Sequence, residues 1–79
     1  MKAYLLIRVE AGKENHVLDK IIEIQGIRRA ALVFGPYDIV AVAEVTTHDE
    51  LDNIVVGSVR KIEGVKDSLT LVVAEERSK

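Results

Sequence analysis

A chain of 79 residues with no cysteine, one proline and 48% apolar content has room for one domain, and neither a disulfide nor a thiolate metal site. Thirty per cent charged residues at that apolar content exclude intrinsic disorder, and a net charge of −2 argues against a nucleic-acid module. No apolar run approaches a membrane span of about 20 residues, and Arg8 stands too early for a signal peptide, which describes a small cytoplasmic domain. A chain this short buries only about 60–65% of the surface it exposes when unfolded, and its own core supplies roughly 3–5 kcal/mol. Self-association is the remedy left to it.

Residues 2–9 alternate, with Ala3, Leu5, Ile7 and Val9 on one side and Tyr4, Leu6 and Arg8 on the other, which predicts a strand. Gly12 opens a helical segment to about Gln25, its stripe formed by Val17, Leu18, Ile21 and Ile22. Gly26 then stands where a left-handed residue ends a helix. Residues 27–34 predict a second strand and 39–45 a third, joined by the turn Gly35-Pro36-Tyr37-Asp38 as an antiparallel hairpin. Thr47 and Glu50 have the spacing of a capping box for a second helix, with Leu51, Ile54, Val55, Ser58 and Ile62 on one face and an end at Gly64. Residues 68–74 predict the last strand, and 75–79 a solvated tail.

The order β-α-β-β-α-β contains a repeat: Ile24-Gln25-Gly26-Ile27-Arg28 returns as Ile62-Glu63-Gly64-Val65-Lys66. Two β-α-β halves around a central hairpin make an α+β, ferredoxin-like domain, one unit over residues 1–79. Right-handed crossovers place both helices on one face of a four-stranded antiparallel sheet. The other face would be polar in a monomer. Instead, the third strand alternates Ile39, Ala41 and Ala43 with Val40 and Val42, so both its faces are apolar. This pattern predicts a face-to-face sheet dimer.

Chemistry-bearing residues are sparse. His16 and His48 are the only neutral-pH bases, and both read as exposed helix-start residues. Asp49, Glu50 and Asp52 suit the dipole of a helix start, so neither a hydrolase nor a metalloenzyme has support and no cofactor is implied. Gly12 serves as an N-cap or lines an anion site. Gly57, inside the second helix, is read as a close packing contact. Aromatic content of 4% argues against the base-stacking sheet of an RNA-binding domain. The most specific local feature is Gly35-Pro36-Tyr37-Asp38, which as a plain hairpin turn leaves a tyrosine beside an aspartate without explanation.

That turn, followed by Ile39-Val40-Ala41-Val42, resembles the hairpin of the Lrp/AsnC (feast/famine) regulators' ligand domain, the RAM domain. The run from Ile62 to Val73 is similar to the family's closing strand, and residues 1 to about 74 follow its motifs in order. The resemblance implies a non-enzymatic regulatory domain that dimerises through its sheets, assembles into rings of dimers and binds an amino-acid effector between dimers. Carried onto this chain, it implies ligand contacts from Gly35, Tyr37 and Asp38, with Ser68 and Thr70 on the last strand. Asp38 can pair with an α-ammonium, while turn amides and the two hydroxyls can bind an α-carboxylate. Those hydroxyls either reach the pocket or lie in the dimer interface. Family regulators carry an N-terminal helix-turn-helix, whereas this sequence starts at the first strand, which implies a stand-alone domain without direct DNA binding, acting with itself or with full-length regulators. Pro36 replaces a polar residue and removes one turn N–H. Two other readings stay open: a structural oligomerisation module without a ligand, and an ACT-like domain binding amino acids near Gly12.

Overall fold

The alternating N-terminal residues become the central strand of a sheet. In the computed structural model, which describes residues 1–79, the elements are β1 (Lys2–Val9), α1 (Glu14–Ile22), β2 (Ile27–Leu32), β3 (Ile39–Glu44), α2 (His48–Val55), a 3₁₀ turn (Val59–Lys61) and β4 (Val65–Val72). The four strands are antiparallel in the order β2-β3-β1-β4, the ferredoxin-like arrangement. Ala3, Leu5, Ile7 and Val9 point to the helix side and join Val17 and Ile21 of α1 and Leu51, Ile54 and Val55 of α2 in one core.

That core is small. Only 16 of 79 residues are buried, so losing one fully buried Leu or Ile, worth about 1.5–3 kcal/mol, removes a large part of the net stability. Val42 is buried yet lies outside the core cluster. Its cross-strand partners are Tyr4 and Arg29, and all three occupy the sheet face that no helix covers.

Helix boundaries differ from the periodicity. α1 ends at Ile22 rather than near Gln25, Ile22 is exposed, and Ile24–Gly26 form a separate turn closed by the Ile27 N–H donating to Ile24 O at 3.1 Å. Lys13, not Gly12, precedes α1 as its cap residue, and the Gly12 N–H donates to Glu14 Oε1 at 2.9 Å. α2 stops at Val55, so Gly57 lies beyond the helix, where a Cβ would run into the Asn53 carbonyl. Beyond the break, Val59 opens the 3₁₀ turn and is fully buried. Half of the capping box forms: Thr47 Oγ1 accepts from the Glu50 N–H at 3.1 Å. The Glu50 carboxylate turns instead to Thr46, accepting from its hydroxyl at 2.6 Å and its N–H at 3.2 Å. β2 ends at Leu32, two residues early, and β4 runs from Val65 to Val72 rather than 68 to 74.

The sequence repeat is a structural one. Gly26 and Gly64 adopt φ of +101° and +103°, a region that side chains disfavour. Gly26 O accepts from the Glu44 N–H, and Gly64 O from the Glu10 N–H, each at 2.8 Å. Beyond β4 the chain has no regular structure, yet the tail is tied down: the Glu76 carboxylate accepts from Lys2 Nζ at 2.8 Å and from the Tyr4 hydroxyl.

Candidate functional site

The β2–β3 connection is closed by the Val33 N–H, which donates to Asp38 O at 2.9 Å. Asp38 is half-buried and anchors this loop to β1. Its N–H donates to Ile7 O at 3.0 Å, and its carboxylate Oδ2 accepts from the Val9 N–H at 2.8 Å. One oxygen of Asp38 is thus committed to the fold. Phe34, at the tip, is fully exposed.

A groove of about 460 Å³ opens beside this turn, lined by Arg8, Pro36, Tyr37, Asp67, Ser68 and Leu69. It unites the end of β1, the turn and the early part of β4. Of the five residues singled out in the sequence, Tyr37 and Ser68 line it. Gly35 and Asp38 sit in the adjoining turn and do not. Thr70 pairs with Leu5, whose side chain is in the core, so Thr70 faces the helix side and stands away from the groove. Ser68 Oγ takes a hydrogen bond from Arg60 Nε at 3.4 Å, at the long limit for such a bond.

Sequence reasoning missed Arg8 and Asp67. Their strands place them directly opposite, on the uncovered face, and they form a bidentate pair: Arg8 Nε donates to Asp67 Oδ1 at 2.9 Å, while one terminal nitrogen donates to Oδ2. Hydrogen bonding from Arg8 holds the Asp67 carboxyl below its ordinary value, and Asp67 raises that of Arg8, with Tyr37 and Asp38 adding to the effect through their charge. The available signal was opposite charges on strands one and four, legible only once the register is known.

The uncovered face carries Ala31, Val40, Val42, Tyr4, Leu6, Leu69 and Leu71 in cross-strand rows. Leu69 and Leu71 are each 45% exposed. Charged groups stand at both ends, Lys2, Arg29, Glu44 and Glu76 at one and Arg8 with Asp67 at the other. An apolar centre with a charged rim is interface anatomy. The groove meets the face at Leu69 and Arg8. A larger groove of about 660 Å³ lies elsewhere, between the start of β2, the end of β3 and α2, and holds none of the five residues. His16 and His48 are both exposed, and no helix is long and apolar enough to cross a membrane.

The chain is thus a ferredoxin-like sheet with one bare apolar face and a groove at its hairpin end. Residues 2–79 match the family model described as the Lrp/AsnC ligand binding domain, and the chain belongs to that family. It is 33% identical over 76 residues to the HTH-type transcriptional regulator FL11 of Pyrococcus furiosus, a match covering 94% of this chain and 50% of that protein. The chain spans about half the length of the curated relatives it matches. Among solved structures, TTHA0845 from Thermus thermophilus superimposes with a TM-score of 0.92 at 28% identity, over 99% of this chain and 98% of that one. The transcriptional regulator NMB0573 from Neisseria meningitidis, solved as an L-Met complex, shares the fold with a TM-score of 0.86 at 15% identity, over 99% of this chain and 52% of that one.

Proposed function

We propose that this chain is an amino-acid-responsive regulatory and oligomerisation domain, without catalytic activity, which modulates transcription indirectly. It pairs sheet to sheet with a second copy of itself or with a full-length family regulator, and dimers associate into rings. A small amino acid binds at the hairpin end, where Tyr37 and Ser68 line the groove and Gly35 and Asp38 shape the adjoining turn, while Thr70 lies on the helix side of β4 and takes no part. The observation that carries this reading is the junction of the groove with the bare apolar face at Leu69 and Arg8. A ligand there sits at the margin of the surface used for assembly. The L-Met complex of NMB0573 and the family's ligand-binding description support an amino acid as the class of effector.

Thermal unfolding against each common L-amino acid at millimolar concentration tests it. A ligand at 100 times its dissociation constant adds about 2.7 kcal/mol, and each kcal/mol moves the midpoint of a domain this size by about 4–8 °C. A selective rise of that order is expected. A flat panel refutes the effector role and favours a structural oligomerisation module, a reading to which the commitment of Asp38 Oδ2 to the Val9 N–H already lends weight.

A further inference from the structure

Within the groove, one charged group retains unused bonding capacity. Arg8 presents five N–H donors in a rigid plane. Asp67 occupies one edge of that plane, taking Nε at 2.9 Å and 3.1 Å and one terminal nitrogen. The other terminal nitrogen, Nη1, makes no hydrogen bond to the chain. The pair therefore acts as a splint: Asp67 fixes the orientation of the guanidinium and leaves its outer edge available.

Of the other polar groups in and beside the groove, the Tyr37 hydroxyl makes no hydrogen bond to the chain and carries no charge to match an anion, and the rest have engagements. Asp67 uses both oxygens on Arg8, Asp38 has one on the Val9 N–H, and Ser68 Oγ is approached by Arg60. No other cation lines the groove, whose walls are Pro36, Tyr37 and Leu69. A guanidinium edge matches a carboxylate in shape as well as charge. We propose that the outer edge of Arg8, positioned by Asp67, receives the α-carboxylate of a free amino acid, a role that rests on reading this groove as the effector site. The hydroxyls of Ser68 and Thr70 are then not the main carboxylate partners. A molecule with the same side chain and ammonium but an uncharged carboxamide lacks the recognised group.

The test is calorimetric titration of the full chain, wild type and Arg8→Gln, with every common L-amino acid and its α-amide. The wild type is expected to prefer the acid over the matching amide. Arg8→Gln is expected to weaken the acid by roughly 10- to 100-fold and leave the amide unchanged, the loss typical of a hydrogen bond to a charged group. Arg8→Lys, which keeps the charge but not the planar fork, is expected to fall between the two, and it serves as the second variant if glutamine disturbs folding. Equal wild-type binding of acid and amide, or an equal loss of both in Arg8→Gln, overturns the role of Arg8 and leaves the effector reading standing. A wild type that binds no amino acid overturns both.

Discussion

Replacing Asp38 separates what this residue does for the fold from what it does for a ligand. Its Oδ2 accepts from the Val9 N–H at 2.8 Å, at the point where β1 ends and its register with β4 shifts. Asp38→Ala leaves that part-buried N–H without a partner, a loss of about 1–2 kcal/mol, taken low in the usual 1–3 range because water can reach an N–H in this position. For a domain of this size the loss lowers the melting midpoint by about 4–16 °C. Asp38→Asn keeps a carbonyl oxygen in place and loses only the charge, so it is expected to retain most of the stability. Thermal unfolding followed by circular dichroism, without ligand, reads both variants. An unchanged midpoint in Asp38→Ala, or an equal fall in both, refutes the anchoring role. Any reduction of amino-acid binding in Asp38→Asn then reports on the ligand alone.

Three glycine variants are expected to rank by surroundings. Gly12→Ala meets nothing within 4 Å and loses about 1 kcal/mol, whereas Gly26→Ala and Gly64→Ala, with Cβ positions 2.7 Å from Ile54 and 2.8 Å from Lys13, each lose about 2–3 kcal/mol. Urea midpoints check the order, and an equal effect at all three removes the steric argument. Leu69→Glu, on the bare face, is expected to leave the fold intact and to shift sedimentation towards monomer; an unchanged oligomeric state speaks against the sheet interface. Glu50, Glu63, Asp67 and Glu76 are held below ordinary carboxyl values chiefly by hydrogen bonds from Thr46, Lys13, Arg8 and Lys2 respectively. A carboxyl more acidic in the folded chain stabilises it above the unfolded value and ceases to do so as pH falls through the folded one. Lys2, Lys13 and Arg8 are raised, so their share persists through neutral pH and is lost only at strongly alkaline pH. Urea midpoints are therefore expected to fall as pH drops below about 4, and Glu63→Gln should show a shallower fall than the wild type.

Strands were the most legible part of the chain because period-two alternation and the sheet are the same fact: β1 occupies the residues its alternation marks, Lys2–Val9. Helix ends were less legible. Val56 and Ser58 continue an acceptable helical pattern, and nothing in the periodicity marks the end of the helix at Val55. The twin glycines were visible as a repeat, and their shared left-handed conformation follows from that position. The groove was half visible. Tyr37 and Ser68 belong to recognisable motifs, whereas Arg8 and Asp67 meet through a register that depends on the shift beyond Arg8. Thr70 shows the same limit from the other side: alternation says that it and Leu69 face opposite ways, but only pairing with Leu5 says which way each faces.

The exchange of backbone bonds at Gly26 and Gly64 ties the two halves of the chain into mutual dependence. The first half's junction is closed by an N–H of β3, and the second half's by the N–H of Glu10, just past β1. β1 itself lies between β3 and β4, both supplied by the second half. A half-length fragment would thus have a central strand with no neighbours and a junction carbonyl with no donor. It could complete itself only by taking both from a twin.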